Sequence, residues 1–155
     1  MDAQPKRTQV ALVCSPGGHL QQMLALRPAW EDLSRFWVTL EGPDVSHLLS
    51  GERVLRAHGP TNRNLPNLLR NLVFAWKVIR RDKPDVVLST GAGLAVPFLV
   101  VGKLRGCRTV YVESLTRTRS LSLSGKLVYP FTDVFFVQWP GVTRLRRARY
   151  VGSIM

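Results

Sequence analysis

Short apolar runs alternate along this chain with segments whose apolar residues recur at helical spacing, and few folds accommodate that rhythm from end to end. Strands are predicted at 9–14 (QVALVC), 35–40 (RFWVTL), 53–57, 85–89 (DVVLS), 109–113, 133–137 and 149–151. Helices are predicted at 19–26, 44–50, 64–81 and 124–130, with one more running from the 90–93 turn to about residue 105. A repeated strand–helix–strand order implies a mostly parallel sheet with helices on both faces, because parallel neighbours need a crossover long enough to hold a helix. The expected class is therefore α/β. At 155 residues, 45% of them hydrophobic, the chain can fill one core. Residues 1–155 are expected to form a single domain in which 1–8 are a flexible tail.

The 22 Lys and Arg against 10 Asp and Glu leave a net charge of +12, which favours an anionic partner: nucleic acid, an anionic membrane or a diphosphate-bearing substrate. Cys14 and Cys107 lie in apolar stretches without metal-ligand spacing, so both are expected to be reduced, structural thiols, and no metal is expected. The N-terminal residues do not read as a signal peptide. The longest uncharged apolar run, 94–101, is far short of the roughly 20 residues a membrane span needs. Any membrane contact is therefore expected to be peripheral.

Four constellations offer chemistry. Ser15-Pro16-Gly17-Gly18-His19 joins a strand to a helix, where glycines let backbone approach a ligand and free N–H groups suit an anion. The same turn also serves pure geometry, and His19 reads either as a general base or as a helix cap. Ser89-Thr90-Gly91-Ala92-Gly93 repeats the arrangement at the carboxyl end of a later strand, where open α/β sheets bind ligands or the chain simply makes a tight turn. Glu113-Ser114 ends another strand, and Arg117 and Arg119 follow: a carboxylate for a hydroxyl and guanidiniums for phosphate, or solvated loop charges. In 64–81 a stripe of Leu65, Leu68, Leu69, Leu72, Val73, Trp76 and Ile79 is flanked by Arg70, Lys77, Arg80 and Arg81. Such a helix either packs on the sheet with its basic residues solvated or lies on an anionic bilayer. A nucleic-acid-binding α/β module is the alternative of a different class, with the basic stretch 144–149 its best carrier, although no module signature is present.

Read together, SPGGH at 15–19, STGAG at 89–93, YVES at 111–114 with Arg117, LSLSGK at 121–126, Tyr129, QWP at 138–140 and YVG at 150–152 carry a resemblance across nearly the whole chain. The ordered set resembles the acceptor subunits of bipartite glycosyltransferases, namely PssD-type polysaccharide-biosynthesis proteins and the membrane subunit of the eukaryotic dolichyl-diphosphate UDP-N-acetylglucosamine transferase. It is similar too to the N-terminal half of a MurG-type GT-B enzyme, which implies a Rossmann-like sheet.

That resemblance implies inverting transfer of a sugar from a UDP-sugar to a polyprenyl-diphosphate-linked sugar at the cytoplasmic face of the cell membrane. The UDP-sugar would sit on a separate donor-binding, PssE-type subunit; no cofactor is expected on this chain, and nucleic acid is not needed to explain its charge. The eukaryotic subunit has an N-terminal membrane anchor that is not seen here, so a bacterial exopolysaccharide pathway is the closer expectation. By the same resemblance His19 and Glu113 are the candidate bases. Ser15, Gly17, Gly18, Ser89, Thr90, Gly91, Gly93, Ser114 and Arg117 would hold acceptor and diphosphate. Arg70, Trp76, Lys77, Arg80 and Arg81 would meet the membrane, and Gln138, Trp139, Tyr150 and Gly152 the partner subunit.

Overall fold

A computed structural model describes residues 6–142 and 145–155. Part of the expected flexible tail, residues 1–5, and Arg144 of the basic stretch lie outside the described residues. Seven strands form one sheet: β1 (Gln9–Cys14), β2 (Ser34–Thr39), β3 (Val54–Arg56), β4 (Val86–Gly91), β5 (Arg108–Val112), β6 (Val134–Val137) and β7 (Ala148–Tyr150). Every pairing is parallel and the order is β3-β2-β1-β4-β5-β6-β7. The class is α/β with helices on both faces, as the rhythm of the sequence requires.

Alternate strand residues serve opposite faces. Ala11, Val13, Phe36, Val38, Val87, Tyr111 and Phe135 pack under α4 (Leu65–Asp82) and α5 (Ala95–Leu104), with α6 (Leu123–Val128) beside them. Val10, Leu12, Trp37 and Leu88 face α1 (Gly18–Ala25), α2 (Arg27–Trp30) and α3 (Val45–Leu48). The helix expected at 19–26 is followed at once by the unforeseen α2, because Pro28 sits in its first turn, where a proline starts a helix as readily as it ends one.

The chain builds outward from β1 to β3, then returns to add β4 on the other side of β1. Strand order therefore reverses between β1 and β4, and the loops leaving their carboxyl ends face a common crevice. Those loops are 15–17 and 92–94, so both glycine motifs meet where such sheets hold ligands. The pairing of β1 with β4 skips Thr90, going from Val13–Ser89 to Cys14–Gly91.

Helix α4 was expected either to pack its apolar stripe on the sheet or to lay it on an anionic bilayer, and the structure divides the stripe between sheet and solvent. Its buried positions are Asn67, Asn71, Ala75, Val78 and Ile79, whereas Leu65, Leu69, Val73 and Trp76 are 64%, 56%, 57% and 44% exposed. The two asparagines face inward because the loop before the helix needs them. The Asn71 amide donates to the His58 carbonyl at 2.8 Å and accepts from the His58 N–H at 2.9 Å, and Asn67 Nδ2 donates to the Pro60 carbonyl at 2.9 Å. Asn64 caps the helix by accepting from the Asn67 N–H.

Asp133 ties β6 to β5, accepting from the Thr109 N–H and from Lys103. The Lys103 ammonium, and then the Thr109 N–H, hold its carboxyl down at about 2. The folded value lies below the unfolded one, so the stabilisation is complete above about pH 4 and disappears as pH falls toward 2. Stability measured against pH should lose that part of its acid slope in Asp133→Asn; an unchanged slope would mean the bridge contributes nothing.

Candidate functional site

A groove of about 590 Å³ opens at the carboxyl edge of the sheet, between the loop 61–64 and α4 on one side and the loop after β5 and α6 on the other. His19, Ala92 and Gly93 lie at the strand-order reversal, while Ser114, Thr116, Arg117, Ser122 and Ser124 supply one polar wall and Thr61, Asn62, Arg63 and Asn64 the other. Leu65, Leu68, Val96, Leu123 and Leu127 make the remainder apolar. Among the described residues no carboxylate lines it.

His19 stands in the first turn of α1, and its Nδ1 lies 2.9 Å from the Thr90 carbonyl, which can only accept. Nδ1 therefore carries the proton in the neutral ring and Nε2 keeps its lone pair, the state a general base requires. Thr90 returns the contact by donating its hydroxyl to the His19 carbonyl at 2.7 Å. Gly91 lies against the ring, where a β-carbon would come within 3.0 Å of Nδ1 and Cε1. At Gly93 a β-carbon would stand 2.7 Å from the Thr61 carbonyl, so the crossing of loop 61–64 over this turn depends on glycine.

The candidate base His19 lines the groove, as do Gly93, Ser114 and Arg117 of the acceptor residues expected from the sequence. Thr90 and Gly91 back His19. Ser89 is buried, its hydroxyl accepting from the Gly91 N–H. Gly17 is committed elsewhere: its N–H donates to Asp44 Oδ2 at 2.9 Å, so a carboxylate already occupies that donor. Neither Gly17, Gly18 nor Ser15 lines the groove. The same Asp44, after burial itself, helps push the Cys14 thiol up to about 12, so that sulfur stays protonated.

Glu113 does not reach the groove. It is 1% exposed, and its two oxygens accept from Tyr111 Oη, the Ser114 N–H, the Ser122 N–H and the Ser122 hydroxyl. Burial, and then the Glu113 charge, pushes the Tyr111 phenol up, keeping it a donor. Ser122 also caps α6 by accepting from the Gly125 N–H. Glu113 thus holds the groove wall and has no free oxygen aimed at a substrate.

Gln138 is likewise turned inward: Nε2 donates to Gln22 Oε1 and to the Glu113 carbonyl, and Oε1 accepts from the Ile154 N–H. It is a buried brace, not a surface contact. Trp139 and Tyr150 are exposed, with Trp139 Nε1 bonded to the Leu115 carbonyl, and Gly152 borders a second, apolar cavity of about 350 Å³ over Val86, Leu88, Val110 and Phe136. Arg70, Trp76, Lys77, Arg80 and Arg81 are all exposed on α4, where Arg105 stacks over Trp76 at 5.0 Å and Arg81 pairs with Asp82. Loop 61–64 was missed in the sequence; the Asn67/Asn71 pair one turn apart in an apolar helix was the signal that could have pointed to it.

Residues 45–154 match the family described as "Oligosaccharide biosynthesis protein Alg14 like". The UDP-N-acetylglucosamine transferase subunit ALG14 of Eremothecium gossypii is 46% identical over 100 residues, covering 56% of this chain and 45% of that protein. The subunit of the same name from Mus musculus is 39% identical over 180 residues, covering 95% of this chain and 83% of that one. Among solved structures, MurG of Acinetobacter baumannii superposes with a TM-score of 0.77 at 15% identity, over 92% of this chain and 45% of MurG. The fold is thus the Rossmann-like half of a GT-B architecture, and this chain spans less than half the length of MurG and of the Eremothecium protein.

In Glu113→Gln an N–H₂ replaces one acceptor oxygen, and a buried donor among Tyr111, Ser114 and Ser122 loses its partner. Unfolding stability should fall on the order of 2 kcal/mol, measured by denaturant titration. If stability holds while turnover collapses, Glu113 acts on substrate after all.

Proposed function

The chain belongs to the Alg14-like family of oligosaccharide biosynthesis proteins, and on that premise we propose that it is the acceptor-binding subunit of a two-component inverting glycosyltransferase. A separate donor-binding subunit, PssE-type, supplies the UDP-sugar, and the acceptor is a polyprenyl-diphosphate-linked sugar of a polysaccharide pathway at the cytoplasmic face of the cell membrane. The observation that carries this reading is the groove's mixed chemistry: the His19 imidazole, hydroxyls and the Arg63 and Arg117 guanidiniums share one lining with Leu65, Leu68, Val96, Leu123 and Leu127. An amphiphile with a sugar diphosphate head and an isoprenoid tail combines the same two chemistries.

In the proposed reaction the acceptor hydroxyl oxygen forms a bond to the anomeric carbon of the donor sugar as the bond to UDP breaks. The hydroxyl proton passes to His19 Nε2, and the Thr90 carbonyl on Nδ1 stabilises the imidazolium that forms. UDP leaves with the bonding electron pair, and His19 then releases its proton to solvent. In this reading Ser114, Thr116 and Ser124, which line the groove, hold sugar hydroxyls.

Among the described residues no helix is long and apolar enough to cross a membrane. The exposed Leu65, Leu69, Val73 and Trp76, flanked by Arg70, Lys77 and Arg80, support peripheral attachment instead: apolar side chains enter the interface and cations meet anionic headgroups. Each such cation contributes about 1 kcal/mol near an anionic surface.

With the donor-binding subunit, lipid-linked acceptor should be glycosylated, and His19→Ala should lower kcat by roughly 10² to 10⁴ with little change in acceptor affinity. Turnover by this chain alone, or near-normal kcat in His19→Ala, contradicts the assignment. On vesicles containing anionic lipid, neutralising Arg70, Lys77, Arg80 and Arg81 should remove the salt-sensitive part of binding, and Leu65, Leu69 and Val73 changed together to Ser the salt-resistant part. Binding unaltered in both variants would move the membrane contact off α4.

A further inference from the structure

We propose that Arg63, opposite Arg117, is the second arm of a clamp for the acceptor's diphosphate, and that the loop carrying it is held in a strained conformation for that purpose. This rests on the reading of the groove as the acceptor site.

The first observation is charge without a partner. Arg27, Arg35, Arg53, Arg56 and Arg81 each pair with a carboxylate elsewhere on the molecule. Arg63 and Arg117 both line the groove, and among the described residues neither guanidinium is hydrogen-bonded or ion-paired to a protein group. With no carboxylate in the lining among the described residues, the two cations are left for an anionic ligand. A guanidinium presents paired donors to a phosphate, so two of them suit two linked phosphates better than one.

The second observation is backbone strain. Arg63 has φ 47°, left-handed and unfavourable for a side chain of this kind. Asparagine tolerates that region better, yet asparagines stand on either side, at 62 and 64, and arginine at the strained position. Such a conformation persists only where the surroundings over-determine it. Here they do: Asn71 grips His58 through two hydrogen bonds, Asn67 holds the Pro60 carbonyl, the Thr61 carbonyl rests on Gly93, and Asn64 is fixed as the cap of α4. Asn67 and Asn71 are thereby positioning residues for Arg63.

The clamp also sets the direction of the ligand. Leu65 follows Arg63 by two residues and opens onto the exposed stripe of α4, so an isoprenoid chain leaves on that side and the sugar extends toward His19.

The test is equilibrium binding of three short-chain probes to the full chain by calorimetry: a polyprenyl diphosphate, the matching monophosphate and the alcohol. The wild-type chain should prefer diphosphate to monophosphate at least tenfold, and Arg63→Gln should abolish most of that preference while leaving the alcohol's affinity unchanged. Arg63→Gly should lose the preference equally yet melt at a higher temperature than Arg63→Gln, because glycine relieves the strain. Equal affinity for diphosphate and monophosphate in the wild type, or a full preference in Arg63→Gln, overturns the clamp. Leu123→Arg separates the two readings: if it weakens the alcohol while Arg63→Gln changes nothing, the groove stands and the clamp fails. If Leu123→Arg leaves all three probes unaffected, the groove is not the lipid site.

Discussion

A carboxylate sealed from water has to be met by donors, and at Glu113 each donor comes from a different part of the wall it supports. Tyr111 precedes it on β5, Ser114 begins the loop that carries Thr116 and Arg117, and Ser122 begins α6. The Glu113 carbonyl accepts from Gln138 on the far side of β6, and Gln138 bonds to Gln22 of α1, which accepts in turn from the Leu115 N–H. Four elements and one loop are thus joined through two layers of buried polar groups. Buried networks of this kind are rigid when every member is satisfied and expensive when one is missing. The position of the groove's serine and arginine wall is a consequence of that arrangement.

The opposite wall is built by a different device. A helix with apolar residues at every turn would ordinarily bury them, yet the first half of α4 gives its inward positions to Asn67 and Asn71, and only the second half buries Ala75, Val78 and Ile79. Loop backbone groups at His58 and Pro60 need partners once they are covered, and the asparagine amides are the groups within reach. Satisfying the loop rotates Leu65, Leu69 and Val73 toward solvent. The shape of the groove and the exposure of the apolar stripe therefore follow from one choice of face.

This explains what could and could not be read from the sequence. The strands were legible because parallel strands buried on both faces appear as continuous apolar runs, and QVALVC and DVVLS are such runs. The meeting of SPGGH with STGAG was legible because both stand at the carboxyl ends of parallel strands, and His19 could be placed beside it because helix start and strand end coincide there. Periodicity in 64–81 identified a helix but not its orientation, since that depended on unpaired backbone in a distant loop. Glu113 was placed at the right strand end, but its burial among donors was not legible, because Ser122 lies nine residues away and no local pattern links them. Gly17 was given to a ligand for the same reason: Asp44, which takes its N–H, is remote in sequence. Arg63 left no local mark, as a left-handed arginine has the same letter as any other.

The net charge of +12 takes on a spatial meaning once the acids are located. Glu31, Glu41, Glu52, Asp82, Asp85 and Asp133 neutralise cations away from the groove, whereas Arg63 and Arg117 on the groove walls and Arg70, Lys77 and Arg80 on α4 are among the described cations left without a carboxylate. Leu65 belongs both to the groove lining and to the exposed stripe. On the proposed reading, an isoprenoid chain passing from bilayer to groove never has to cross water, and its diphosphate moves from a surface of cations into another pair of them. Attachment and substrate capture are then the same geometry: a protein docked by α4 already has the mouth of its groove at the depth where lipid headgroups lie. Removing apolar side chains from the stripe would weaken acceptor binding even for a ligand delivered in detergent, whereas removing its outer cations would weaken only the search for the membrane.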